Sequence, residues 1–186
     1  MLEKLERLVA FHCAPTLMGL KAGNLISMKR AAYEAQKEQI SQVTASLKNK
    51  GLCVHIFHTI TGGSLLYIYR EELLAKQLYH LESRRILRAF GYRGREVNGL
   101  VEQLGRRVEE SGDFPHEIGL FLGYPPEDVA GFVAHKGAKC KLCGCWKVYG
   151  DVDRAQALFA QYDHCRHACC RKLQNGMRLE EVVQAG

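Results

Sequence analysis

The sequence predicts an α+β fold: a single domain over residues 1–186, with a small antiparallel sheet surrounded by helices. Three observations carry this. Two apolar runs, 52–59 and 64–70, flank Thr61-Gly62-Gly63 and read as a β-hairpin. Most of the rest of the chain repeats its apolar residues at helical spacing. A length of 186 residues, 47% hydrophobic and 25% charged, suits one globular core, and no internal repeat or linker divides it. Residues 138–186 form a cysteine-rich C-terminal portion of the same domain.

The elements follow in order. Leu2, Leu5 and Leu8 mark an amphipathic helix over 2–11, and Pro15 fits the first turn of a second helix that runs to Gly23-Asn24. Ala31, Ala35, Ile40, Val43 and Leu47 give a thin apolar stripe over 30–49, stopped by Gly51. After the hairpin, 52–70, helical spacing returns through Leu73, Leu74, Leu78, Leu81 and Leu87, and again from Val97 to Val108. A short apolar segment, 114–125, is bounded by prolines, and Pro126-Glu127-Asp128 opens a further helix. Residues 144–149 have strand character and could add a third strand to the hairpin. A long helix, 152–173, and a short one, 178–184, complete the chain.

The formal net charge of +6 is mildly basic, well short of a histone-like tail. No apolar run approaches the roughly 18–20 residues that span a bilayer, which predicts no membrane partner. The first residues carry acids and lack the apolar core of a signal peptide, which predicts a cytoplasmic protein. In that reducing compartment the eight cysteines are thiols rather than a disulfide framework.

Cys13 stands just before the expected helix at Pro15, where a helix dipole lowers a thiol pKa. His116 and Glu117 form a polar pair in an apolar segment. An imidazole can take the thiol proton, and a carboxylate can orient the ring or act as an acid or base. Cys13, His116 and Glu117 are therefore the candidate catalytic residues. Thr16, Lys21, Asn24 and Arg70 could bind an anionic group, and His12 and Tyr124 complete the candidate substrate contacts. The chemistry fits a thiol-dependent hydrolase or transferase acting on a small anionic or acyl substrate. The bland alternative is a packed Cys13 beside a helix-capping His116 and a first-turn Glu117.

The segments His-Cys-Ala-Pro-Thr-Leu (12–17), Pro-His-Glu-Ile-Gly-Leu-Phe-Leu-Gly-Tyr-Pro (115–125) and Gly-X-Trp-Lys-Val-Tyr (144–149) point further. In motif order and spacing across essentially the whole chain, the sequence resembles a bacterial family designated domain of unknown function 3793. The resemblance implies that residues 12–24 and 115–125 belong to a shared site. It brings no reaction with it.

Six of the eight cysteines fall within 140–170. Cys140-Lys-Leu-Cys143 is a zinc-knuckle spacing, and Cys165 and Cys169 share one face of the expected final helix. These four thiols could bind zinc or an iron–sulfur cluster, which would make the protein a non-enzymatic metal binder. The alternative is a set of free thiols. Seven arginines between Arg84 and Arg107 suggest a nucleic-acid-binding module, though a solvated helical face explains them more simply.

Overall fold

The computed structural model describes residues 4–110 and 114–184. Three strands form the main sheet: β1 (Gly23–Lys29), β2 (Cys53–His58) and β3 (Gly63–Tyr69), in the order β1-β3-β2 and antiparallel throughout. Helix α1 (Lys4–Leu17) precedes β1, while α2 (Arg30–Ala35) and α3 (Lys37–Lys48) link it to β2. Five helices follow: α4 (Glu71–Tyr79), α5 (Leu81–Ala89), α6 (Val97–Glu110), α7 (Ile118–Phe121) and α8 (Pro126–His135). A separate two-stranded ribbon, β4 (Leu142–Cys143) with β5 (Lys147–Val148), leads into α9 (Val152–Gln174) and α10 (Leu179–Val182). This is the α+β arrangement expected.

Because alternate strand residues point to opposite faces, the sheet divides the core in two. Ile26, Leu66 and Ile68 pack on one face against α1, α3, α9 and α10. Leu65, Tyr67, Tyr69 and Phe57 pack on the other, against α4, α6, α7 and α8. The register sets this division, with Ile26 opposite Leu66 and Leu66 opposite Ile56. A third cluster, around Trp146, Val148, Ala155 and Tyr162, seats the ribbon on α9.

The hairpin stands where expected, but its third strand does not. The strand that pairs with β3 is residues 23–29, and 144–149 pairs only within its own ribbon. Gly23 reads as a helix breaker in sequence, yet it permits a close approach. A Cβ there would lie 2.6 Å from the Tyr67 ring and 2.8 Å from the Phe121 carbonyl oxygen.

The N-terminal region differs too. One helix runs through Pro15 in place of two, and it ends two residues later at Leu17. Proline lacks the N–H that would bond the Phe11 carbonyl and its ring crowds that carbonyl, a cost that falls near the end of the helix, two residues before Leu17. Elsewhere the helical stretches split. Extended backbone at His80 separates α4 from α5, and Gln36 separates α2 from α3. Asp151 caps α9, its side chain accepting from the Arg154 N–H at 3.0 Å. Among the described residues no helix is long and apolar enough to cross a membrane.

Candidate functional site

The end of α1 is a tied structural corner. Arg70 is buried and donates Nε to the Thr16 carbonyl at 2.7 Å. Its Nη2 donates to the carbonyls of Leu17 and Gln184, each at 2.7 Å. Two of these carbonyls are helix-end acceptors that lack an intrahelical partner, and a cation suits that end of the dipole. Thr16 donates Oγ1 to Asn24 Oδ1 at 2.7 Å, fastening α1 to β1. The side-chain hydrogen bonds of Thr16, Asn24 and Arg70 thus run between Thr16 and Asn24 and from Arg70 to backbone. His12 lies on α1 with its ring against Phe11.

Cys13 sits inside α1, fully buried, rather than ahead of a helix start. Burial pushes its thiol up to about 12, an effect that Lys21 nearby only partly offsets. The dipole argument fails because no helix begins there. Nor does the structure bring Cys13 to His116. Cys13 belongs to the core layer of α1, α9 and α10, whereas the segment of His116 and Glu117 runs into α7 on the opposite face. The Cys13–His116–Glu117 triad is not assembled.

Glu117 is fully buried and holds a structural ion pair. Its Oε1 accepts from Arg107 Nε at 2.5 Å and from the Tyr92 hydroxyl at 3.1 Å. This pins the loop before α7 to α6, with the Arg107 guanidinium also stacked on the Phe90 and Tyr92 rings.

His116 instead opens on a cleft of about 330 Å³ between α7, α8 and the ribbon. Ile118, Leu122, Val129, Phe132 and Trp146 make its walls apolar. Five groups add polarity: His116, Tyr124, Asp128, Cys143 and Lys147. The His116 ring meets Phe132 edge-on, with centroids 5.0 Å apart. Cys143 is exposed at the end of β4, directly across from Lys147 in β5. Lys147 Nζ donates to the Gly137 carbonyl at 2.6 Å and lies 5.8 Å from the Phe132 ring centroid.

The ribbon wall is held by one carboxylate. Asp128 is buried in α8 and accepts from Trp146 Nε1 at 2.7 Å. Its other oxygen takes the N–H groups of Tyr149 and Gly150, each at 2.7 Å. Gly144 lets the ribbon lie flat on α9, since a Cβ there would come within 2.2 Å of the Phe159 ring. In sequence Asp128 carries no signal of this role, since its place two residues after the helix-opening Pro126 marks only a first-turn acid.

Against the Tyr124 ring lies Lys21. It is 7% exposed, with Nζ 5.1 Å from the Tyr124 ring centroid and 5.7 Å from that of Tyr162. Burial pulls its amine down to about 8, helped by Arg166 and resisted by Cys13 and Cys145.

The four cysteines expected to bind metal are separated. Cys165 and Cys169 belong to the buried face of α9 that packs against α1, together with Leu173. Their i,i+4 spacing is the spacing of a core stripe, and burial raises both thiols. Cys143 opens on the cleft, and Cys140 is half-buried in the segment before β4. Among the described residues no three His, Cys, Asp or Glu side chains gather as around a metal ion. Of the clustered arginines, Arg107 is committed to Glu117, Arg85 pairs with Glu82, and Arg84 bonds the Gly94 carbonyl.

Fold and cleft together define an α+β protein with one face of its small sheet built out into an apolar pocket. The chain belongs to the family described as protein of unknown function (DUF3793), whose model matches residues 9–183. No curated protein and no solved structure matches it. Two of the three segments that carry the resemblance, 115–125 and 144–149, face each other across the cleft. The first, 12–17, is the tied end of α1.

Proposed function

We propose that the protein binds a small acyl or aryl carboxylic compound in the cleft between α7, α8 and the β4–β5 ribbon, and that Cys143 and His116 act on it. The observation that carries this reading is that a histidine and an exposed thiol line the same apolar cleft. Apolar walls with a few placed polar groups are the ordinary character of a small-molecule site. Lys147, in the lining, supplies positive charge for a carboxylate or a developing oxyanion.

In this reading Cys143, not Cys13, is the nucleophile. His116 accepts the thiol proton, the thiolate adds to an acyl carbonyl, and the leaving group departs with that proton to give a thioester. Water then releases the acid and regenerates the thiol. Such chemistry needs reduced cysteines, which fits the cytoplasm, and all eight cysteines are free thiols in the structure.

Trp146 is the only tryptophan and lines the cleft, so its fluorescence reports on occupancy directly. Titration with octanoate and with phenylacetate should change the emission saturably, and either ligand should slow alkylation of Cys143 by iodoacetamide. Hydrolysis of short p-nitrophenyl thioesters should fall at least tenfold in Cys143→Ser and in His116→Ala. Unchanged fluorescence and unchanged alkylation would reject the cleft as the site. Binding without hydrolysis would leave a carrier rather than an enzyme.

A further inference from the structure

Three elements converge on the Lys21 amine. The turn from α1 into β1 carries Lys21, the tip of the ribbon carries Cys145, and the middle of α9 carries Tyr162 and Arg166. Tyr124 closes a further side, its hydroxyl directed at the Cys145 carbonyl at 3.5 Å. Among the described residues, Lys21 is the one buried lysine, and no carboxylate forms an ion pair with it. A buried ammonium is normally paired or hydrogen-bonded. Here the neighbours are two tyrosine rings, two thiols and a second cation.

Arg166 carries a second anomaly. Its Nη1 pairs with Asp163 and its guanidinium lies over the Phe11 ring at 5.1 Å, but its Nε is buried with no partner. A buried N–H without an acceptor costs on the order of 1–3 kcal/mol unless something fills the place. Arg166 stands one turn beyond Tyr162 on α9, and the Tyr162 ring lies beside the Lys21 amine. An amine without a carboxylate partner and a guanidinium N–H without an acceptor thus share one corner, which suits one ligand that is both electrophilic and anionic.

We propose that Lys21 and Arg166 form a second ligand site, selective for a small α-oxo acid. Arg166 Nε receives the carboxylate, and the Lys21 amine condenses with the adjacent carbonyl. The Nζ lone pair adds to the carbonyl carbon, and the carbonyl oxygen takes up a proton to give a carbinolamine. Loss of that hydroxyl with a further proton releases one water and leaves an imine linking Nζ to the substrate carbon. No electrons are gained or lost. The Cys145 thiol and the phenols of Tyr124 and Tyr162, all raised by burial, stay protonated near neutrality and can supply the protons. The depressed amine keeps a neutral, nucleophilic fraction where an ordinary lysine has almost none.

The site is distinct from the cleft of His116 and Cys143, from which Tyr124 separates it, and it uses none of the same reactive groups. The test is reductive trapping. Native protein is incubated with glyoxylate and cyanoborohydride at pH 7.5, with propanal in place of glyoxylate as the comparison, and adducts are mapped by peptide mass spectrometry. Lys21 should be trapped by glyoxylate at least tenfold faster than the exposed lysines, with a pH midpoint near 8. Lys21→Arg should abolish that adduct. Arg166→Gln should slow trapping by glyoxylate about tenfold and leave trapping by propanal unchanged. The pH midpoint needs no variant, so it still decides the matter if a substitution fails to fold. Adducts spread over exposed lysines, with Lys21 unlabelled until denaturation, would overturn the proposal. Equal loss of both aldehydes in Arg166→Gln would overturn it as well, since Arg166 would then hold the fold rather than the carboxylate.

Discussion

Asp128 and Trp146 are joined by a 2.7 Å hydrogen bond from the indole N–H to a carboxylate whose second oxygen already holds two backbone N–H groups. A charged acceptor satisfying one buried and two part-buried donors is worth more than three neutral bonds, because removing it leaves all three without that acceptor. Asp128→Asn keeps the shape but turns one acceptor oxygen into a donor that faces an N–H. The substitution should cost about 2–4 kcal/mol. Trp146 emission should shift to the red as the ribbon lifts, and the urea midpoint should fall. An unchanged midpoint would mean that the apolar contacts of Trp146 with Tyr124 and Phe159 hold the ribbon by themselves.

Thiol reactivity should separate the two cysteines that sequence and structure favour. Cys143 is exposed, whereas Cys13 is fully buried with its thiol pushed up to about 12. Brief iodoacetamide treatment at pH 7.5 should therefore label Cys143 and spare Cys13 until the protein is unfolded. Cys13→Ser should lower stability by about 1–2 kcal/mol, since it places a hydroxyl among apolar side chains. Rapid native labelling of Cys13 would contradict this packing.

Much of the fold was legible because it rests on periodicity. Alternation marked the hairpin, and helical spacing marked most helices, so the α+β class followed. Strand β1 escaped because its signal is mixed: Gly23 and Asn24 look like a stop, and only the packing of Tyr67 and Phe121 shows why glycine must stand there. The placement of the expected site residues was hidden for a related reason. Cys13 and His116 were joined by residue type, but a three-stranded sheet lies between their layers, and sheet order is not written in local pattern. The pairing of 115–125 with 144–149 depends on Asp128, a residue whose local role as a first-turn acid hides its long-range one. On α9 the same i,i+4 spacing serves either a ligand pair or a core stripe, and Cys165 and Cys169 lie in the core stripe.

Residue type alone makes Arg70 a candidate anion contact, whereas its geometry predicts a stability role. It donates to three backbone carbonyls, two at the end of α1 and one at Gln184 in the C-terminal segment. Lysine retains the charge but not the planar fork that reaches all three. Arg70→Lys should cost about 2–3 kcal/mol, and Arg70→Ala more, because the buried carbonyls lose their donor. Hydrogen exchange should quicken first at Gln184, whose N–H bonds to the Leu17 carbonyl at 3.1 Å, and at the end of α1. Uniform destabilisation with no local quickening would argue against this tie.

The pH dependence of stability follows from Lys21. Its amine is held down to about 8 in the folded chain, against 10.5 as its ordinary value. Below pH 8 the amine is charged in both states, so the cost of burying that charge is fully present. Between about 8 and 10.5 the folded state releases its proton first, the unfolded state binds more protons, and stability rises with pH. Over the whole interval the gain amounts to about 3 kcal/mol, of which about 1 kcal/mol is reached by pH 9. The thiols raised by burial oppose it, because stability from a raised acid is complete below its unfolded value and fades as pH climbs. Comparison with Lys21→Met isolates the amine, since the variant keeps those thiols. At pH 7 the variant should be the more stable protein by about 1–3 kcal/mol, after some loss of contact with the tyrosine rings. That advantage should shrink steadily from pH 8 to pH 9.5 in urea melts. A constant difference across the range would show that Lys21 titrates like a surface lysine. A stabilising substitution at this position would also mark Lys21 as a residue kept for binding rather than for the fold.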